Sequence, residues 1–275
     1  MELLFSVAMS VYKNDSPIYF DRALESITKQ QSIKPNEIVL VVDGPVSEEI
    51  DNVIEKYQNY NLKTIRLEKN VGLGNALKIA TENCNYNLIA RMDSDDIALN
   101  NRFEQQLKIF ERNPDVDICG GNISEFIDDE NHIIGYRIVP QTDEELKKYA
   151  KKRCPFNHAT VMFKKKSLIE AGGYIDWHYN EDYYLWIRMM LKSAVFSNTG
   201  TVLVNTRTGK DQYARRGGKK YYLSEKKLQK YMLDNKIINR YLYLSNCFKR
   251  FVIQVLLPNK IRGYIYKKFA REKNI

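Results

Sequence analysis

The first 95 residues alternate between two hydrophobic periods. Leu3 to Met9, Glu37 to Val42, Lys63 to Leu67 and Leu88 to Met92 are short runs of the β type, and the second is nearly all Val, Ile and Leu, as in strands covered on both faces. Helical patterns lie between them. Ser16-Pro17 reads as an N-cap followed by proline at the first helical position, after which Phe20, Ala23, Leu24 and Ile27 fall on one stripe. Val46 to Tyr57 and Gly74 to Glu82 read the same way, so the order is β-α-β-α-β-α-β, which predicts a parallel, right-handed, doubly wound sheet. A helix predicted from Asn101 to Arg112 turns Phe103, Leu107 and Phe110 inward and stops near Asn113-Pro114. Strand-like pieces at Val116 to Ile127, Ile133 to Val139 and Ala159 to Phe163 predict a mixed second half. A further helix is predicted to start near Asn180, with Tyr184, Ile187, Arg188 and Leu191 at helical spacing.

Composition narrows the class. The 275 residues are 44% hydrophobic and 28% charged, neither disordered nor collagenous, and suit one large α/β domain with an appendage. Cys84, Cys119, Cys154 and Cys247 are far apart and form no C-x-x-C pair, which argues for a reducing cytoplasm and against zinc or a disulfide framework. Met1 to Phe5 runs into the first strand without a basic-then-apolar leader, and no uncharged apolar run approaches the roughly 20 residues of a membrane span. The expectation is a cytoplasmic protein. Its net charge of +9 is unevenly spread: Thr208 to Ile275 holds 18 Lys/Arg against 4 Asp/Glu, while residues 1–207 are mildly acidic. The boundary therefore falls between a body of residues 1–207 and a basic tail of residues 208–275, whose partner is nucleic acid or an anionic membrane surface.

Open parallel sheets bind ligands outside the carboxyl ends of their strands, where the winding direction reverses. Asp43 and Asp93 end two of the predicted strands. Asp43 can accept from a nucleobase or ribose, or simply make a turn with Gly44-Pro45. In Asp93-Ser94-Asp95-Asp96 two carboxylates two residues apart can converge on Mg²⁺ or Mn²⁺ together with substrate phosphates, although Asp96 can equally cap the next helix. Ile97 and Ala98 exclude an EF-hand. Gly72-Leu73-Gly74 begins like a dinucleotide fingerprint but lacks the third glycine and follows the third strand, which excludes an NAD site. Glu181 and Asp182 lie at a predicted helix start, where free N–H groups stabilise an anion that can serve as general base or merely complement the helix end. His158 reads either as a ligand or as a hydrogen-bonded structural residue.

Taken in order, these residues resemble the family-2 inverting glycosyltransferases of the GT-A type that build bacterial capsule, exopolysaccharide and O-antigen repeats. The resemblance covers about residues 4–207. Ser10-Val11-Tyr12-Lys13-Asn14-Asp15 resembles the family's first nucleotide loop, and Asp43 its uracil-contacting Asp. Gly72 to Lys78 resembles its G-x-x-x-A helix start, Arg91 to Asp96 its R-x-D-x-D-D, and Glu181 to Arg188 its E-D-x-x-L-W-x-R. The fold it implies is a GT-A-like doubly wound mixed α/β sheet, mostly parallel in its N-terminal half, followed by a basic helical appendage. It implies that Ser10, Tyr12, Asn14, Asp43, Gly72, Asn75, Lys78, Arg91, Asp93 and Ser94 hold the nucleotide-sugar, that Asp95 with Asp93 holds Mn²⁺ or Mg²⁺, and that Asp182, with Glu181 beside it, is the catalytic base. Lys78 stands where the family often has Asn. His158 and Trp186 would meet the acceptor, and Arg215-Arg216, hinged by Gly217-Gly218, would close on the diphosphate. The donor implied is a UDP-sugar.

The tail supplies the acceptor clue. Ile237, Tyr241, Leu244, Phe248, Phe251, Val252 and Val255 form a helical stripe beside Arg240, Lys249 and Arg250, with Pro258 ending the segment, and Arg262 to Lys273 mixes Tyr264, Tyr266 and Phe269 with further basic residues. Basic, aromatic and amphipathic character together favour peripheral binding at the cytoplasmic face of the membrane, with an acceptor glycan on a lipid diphosphate and no nucleic acid. An ordinary helix packed on the body, or a homodimer contact, is the alternative. Two other functional classes stay open on the residues alone. A nucleotidyltransferase would also use strand-end carboxylates and a cation, though Ser10 to Ser16 lacks its glycine- and basic-rich phosphate loop, and a non-catalytic basic adaptor would leave Asp93, Asp95 and Asp182 dispensable.

Overall fold

A computed structural model describes residues 3–177, 179–209, 217–258, 261–263 and 271–272. The N-terminal half is wound as its hydrophobic pattern predicts: β1 (Phe5–Val11), α1 (Pro17–Ile27), β2 (Glu37–Val42), α2 (Glu48–Lys56), β3 (Leu62–Arg66), α3 (Leu73–Glu82) and β4 (Leu88–Met92). Strands β3, β2, β1 and β4 are neighbours in that order and all parallel. Every residue of β2 is buried because its alternate side chains enter two different cores. Ile38, Leu40 and Val42 pack with Phe20, Leu24 and Ile27 of α1 on one face, while Val39 and Val41 meet Ala76, Leu77 and Ala80 of α3 on the other.

The second half is mixed. After β5 (Ile97–Ala98) and α4 (Arg102–Arg112) come β6 (Val116–Phe126), β7 (Gly135–Arg137), α5 (Asp143–Ala150), β8 (Met162–Lys164), α6 (Lys165–Glu170), α7 (Glu181–Leu191) and β9 (Val195–Arg207). The sheet continues from β4 through antiparallel β8 to β6, then to β9 alongside β6 in parallel, and β5 closes the far edge. Two expected strands are shorter than their sequence runs. Ile133 to Val139 pairs only over Gly135–Arg137, and Ala159 to Phe163 splits into a tight 3-10 turn at His158–Thr160 followed by β8.

Two tail helices follow, α8 (Lys219–Asp234) and α9 (Arg240–Phe251), and a π-type turn at Val252–Leu256 ends the stripe before Pro258. Leu228 and Met232 of α8, with Ile238, pack on Ala150, Tyr183 and Ile187 of the body. Part of the expected basic surface faces inward instead. Arg262 is buried and donates to the carbonyls of Ile253, Gln254 and Leu257, satisfying groups freed at the helix end. Arg271 is ion-paired with buried Glu125, and Glu272 bridges to Tyr136 beside β7. Tyr264, Tyr266 and Phe269 lie outside the described residues.

Candidate functional site

Winding reverses at β1, which has β2 on one side and β4 on the other, so the loops after these three strands share one mouth. Asp43, at the end of β2, makes the turn that is one of its two sequence readings and also braces the neighbouring loop. Gly44 turns the chain at φ +89°, and a Cβ there would stand 2.7 Å from the Asn70 nitrogen, so only glycine fits. The Asp43 carboxylate then accepts from the N–H groups of Val71 (2.7 Å) and Gly72 (3.0 Å) and from Asn70 Nδ2 (2.9 Å). It thereby fixes the loop that opens α3, whose N-cap Gly72 has φ +85°. Asn75 Nδ2 bonds back to Val71 O at 2.9 Å, tightening the same turn. Lys78 lies exposed on α3.

The first loop is tied to the acidic turn. Ser10 is the penultimate residue of β1, Tyr12 and Asn14 are exposed, and Asp15 accepts both from the Tyr12 N–H (3.1 Å) and from Ser94 Oγ (2.9 Å). Arg91, buried in β4, forms a bidentate pair with Asp93. Burial works against its charge, but the Asp93 carboxylate keeps the guanidinium firmly protonated. Burial, then the charges of Asp93 and Asp15, pushes Asp95 up to about 6. Asp96 does not cap α4, whose N-cap is Asn101. It is buried and accepts from the Arg207 N–H at 2.9 Å, with burial and its acidic neighbours raising its pKa. Arg207 reaches Asp95 O with Nε and stacks on Tyr19 at 3.7 Å, so β9 closes this side of the mouth.

Glu181 and Asp182 open α7, which reaches this mouth through the His158 turn: the Arg91 N–H of β4 donates to Val161 O at 2.9 Å, and the His158 ring meets Trp186 of α7 at 6.1 Å between centroids. Burial, then Asp182, pushes Glu181 up to about 7. Burial also raises Asp182, but each of its oxygens has a donor, the Tyr183 N–H on Oδ1 at 2.6 Å and the Cys154 thiol on Oδ2 at 3.5 Å. Tyr174 lies within the field of Arg91, Asp182, Glu181 and Asp93 and is hydrogen-bonded to His158 Nε2 at 2.9 Å. His158 is neutral, because burial and then Arg91 push its pKa well down.

The structure thus brings Asp15, Arg91, Asp93, Asp95, His158, Glu181 and Asp182 to one mouth. Trp186, expected to meet the acceptor, is fully buried in this structure, edge-on to Phe156 at 5.6 Å, because the E-D-x-x-L-W-x-R segment is a helix buried nearly all round. Arg188 of that segment donates to the carbonyls of Ala171 and Gly173, so it anchors the turn that presents Tyr174. Arg215 and Arg216 lie outside the described residues. Sequence reasoning missed Cys154, Arg137 and Arg207, and gave Asp15 and Tyr174 only as members of family-like motifs, without a role. Asp15 closes its own motif and was visible as a turn acid. Arg137, which binds the carbonyls of Cys154 and Phe156 and Asn157 Oδ1, gives no local signal.

The profile of glycosyl transferase family 2 matches residues 6–172. The chain is 39% identical over 268 residues to the UDP-Gal:alpha-D-GlcNAc-diphosphoundecaprenol beta-1,3-galactosyltransferase of Escherichia coli, covering 97% of this chain and 96% of that one. It is 38% identical over 270 residues to the amylovoran biosynthesis glycosyltransferase AmsE of Erwinia amylovora, covering 96% and 98%. Among solved structures, S. aureus TarS 1–349 in complex with UDP-GlcNAc aligns with a TM-score of 0.69 at 17% identity, over 97% of this chain and 76% of that one. At that identity the likeness speaks for the fold, which is that of a GT-A-like enzyme.

Proposed function

The chain belongs to glycosyl transferase family 2, and we propose that it moves a sugar from a UDP-sugar to a hydroxyl of a glycan carried on a lipid diphosphate, with inversion, in bacterial surface polysaccharide synthesis. The near full-length likeness to an enzyme named for a diphosphoundecaprenol-linked acceptor supports that choice of acceptor. The observation that carries the chemistry is the meeting of the β4 acidic turn with the α7 start around Arg91.

In this reading the loop organised by Asp43, with Ser10, Tyr12 and Asn14, receives the nucleotide. Arg91 stays charged beside Asp93 and adds positive potential where the diphosphate would leave. Asp182 takes the proton of the acceptor hydroxyl as its oxygen bonds to the anomeric carbon from the face opposite the nucleotide. The bond from that carbon to the diphosphate oxygen breaks, the electron pair departs with UDP, and the configuration inverts. Arg215 and Arg216 would join in holding the diphosphate.

The acidic turn suits a hard divalent cation, because Asp15, Asp93, Asp95 and Asp96 crowd oxygen donors whose mutual repulsion such an ion would relieve. Among the described residues no three His, Cys, Asp or Glu side chains form a ready-made metal cage. Asp95, with Asp93 beside it, would hold Mn²⁺ or Mg²⁺, and phosphate and water would complete the ligand set. Bound there, the ion would offset the charge on the departing diphosphate.

Among the described residues no helix is long and apolar enough to cross a membrane. The basic, aromatic tail and the lipid-linked acceptor support a peripheral position at the cytoplasmic face. A panel of radiolabelled UDP-sugars with a lipid-diphosphate-linked N-acetylglucosamine acceptor tests it. One donor should yield a lipid-linked disaccharide of inverted anomeric configuration together with UDP. Formation of a UDP-sugar and pyrophosphate from UTP and a sugar 1-phosphate, with no transfer from any UDP-sugar, would instead indicate the nucleotidyltransferase alternative.

A further inference from the structure

Helix α9 has two faces of opposite character. On one, Asn246 Nδ2 donates to Lys151 O at 2.9 Å and Gln229 Oε1 at 2.8 Å, Arg250 pairs with Glu225 and donates to Lys152 O, and Cys247 is buried. These bonds hold the helix firmly against α8 and the segment after α5. On the other face Tyr241, Leu244 and Phe248 recur at helical spacing, exposed to 81%, 64% and 69%, and Leu256 beyond the helix is exposed to 60%. At 3.6 residues per turn, Arg240 and Lys249 lie on opposite flanks of this stripe. An exposed stripe of large apolar side chains on a well-anchored helix exceeds the scattered single residues normal on a surface.

We propose that this face docks in the plane of an anionic lipid surface. An apolar stripe flanked by cations is the chemistry of an interfacial helix, which buries its apolar side below the headgroups and keeps its charges among the phosphates. A groove of about 590 Å³ at the N-terminal end of α9 gathers Lys151 and Lys236 with Arg240, beside Ile237 and Leu242, so positive charge is concentrated around this end of the helix. A second copy of the chain fits less well, because pairing two such faces would bring their basic flanks together.

The inference rests on the lipid-linked acceptor of the proposed function and adds how the enzyme reaches it. Lys151 and Lys152 are bonded to α9, and two residues farther along the chain Cys154 touches Asp182. Docking through α9 therefore holds the segment that supports the base close to the surface that carries the acceptor.

Flotation of the full-length protein with vesicles tests this. The protein should float with mixed phosphatidylcholine–phosphatidylglycerol vesicles at low salt, and much less with phosphatidylcholine alone or at high salt, where the Debye length contracts. Leu244→Ser with Phe248→Ser should weaken flotation at least about tenfold while circular dichroism and melting stay as in the wild type. The same double variant should still transfer sugar to a short-chain, water-soluble acceptor diphosphate. Flotation unchanged by the double variant would overturn the proposal, as would a wild-type dimer, seen by light scattering, that the variant dissociates. Flotation without transfer to any acceptor would leave the docking face standing and remove the proposed reaction.

Discussion

The Cys154 thiol is hydrogen-bonded to Oδ2 of Asp182 at 3.5 Å, on the carboxylate oxygen opposite the one that accepts from the Tyr183 N–H. Asp182 is raised by burial and lowered by the Tyr183 N–H, the thiol, Arg137 and Arg91, while burial and then Asp182 push Glu181, its neighbour on α7, upward. Removing the thiol deletes a stabilising donor, so we predict that Cys154→Ala moves the acidic limb of the kcat profile to higher pH by about half a unit to one unit. Cys154→Ser should largely restore it, and calorimetric UDP affinity should not change in either variant. Superimposable profiles for Ala and wild type would remove Cys154 as a positioning residue.

Glu181 and Asp182 share one helix start but differ in what surrounds them. Asp182 has two donors that favour its anion, whereas burial and the Asp182 charge push Glu181 to about 7. As pH falls through about 7, Glu181 takes up a proton, whereas the two donors on Asp182 favour its anion. We predict that Asp182→Asn lowers kcat by about 10²–10⁴ with donor affinity retained. Glu181→Gln, which keeps Asp182 and removes a like charge, should stay within about tenfold of wild type. Single-turnover transfer measured on both variants decides the matter, and the reverse pattern would reassign the base to Glu181.

The parallel half of the sheet was legible because β2 and its neighbours are apolar on both faces, a signal carried within a few adjacent residues. β9 was not read, since its 13 residues are largely half-buried, interrupted by Gly200, and paired with β6 across register shifts. α5 could have been found, because Thr142 and Glu145 form the capping box that its sequence spells. The acidic turn and α7 were readable as a strand end and a helix start. The full burial of Trp186 is not legible in its motif, which gives spacing but not which face of a helix is buried. Arg262 and Arg271 were taken as surface charge because their partners, the helix-end carbonyls and Glu125, are identified only by the fold.

Asp95 shows a cost of the site. Its folded pKa, about 6, lies above the ordinary carboxylate value of 3.8, so its contribution favours folding below about pH 4 and is lost as pH rises through 6. Asp95 is solvent-exposed, so water screens most of this effect, and Asp95→Asn should raise stability at pH 7.5 by no more than about 1 kcal/mol and lose that advantage near pH 4. The same variant should lose divalent-dependent UDP binding. In the wild type that binding should weaken as pH falls below about 6, because protonated Asp95 is a poor ligand. Melting curves at the two pH values and calorimetry with Mn²⁺ check both halves, and an Asn variant that binds UDP equally well with the ion would remove Asp95 from the metal site.

Arg271 and Glu125 are joined although 146 residues apart, with side chains only 6% and 2% exposed. Attraction in such a pair is offset by the loss of hydration of both charges, so the pair itself adds little net stability, whereas either partner left alone is a buried, uncompensated charge. Arg271→Ala is then expected to destabilise by about 3 kcal/mol, while Arg271→Met combined with Glu125→Leu should cost much less. The Glu272 to Tyr136 backbone bonds lie next to this pair, so Arg271→Ala should also speed amide exchange at Tyr136. Urea melts of the single and double variants, with exchange followed by mass spectrometry, give both readouts. Equal destabilisation by the single and the paired replacement would mean that this end of the chain is held by its backbone bridge rather than by the charge pair.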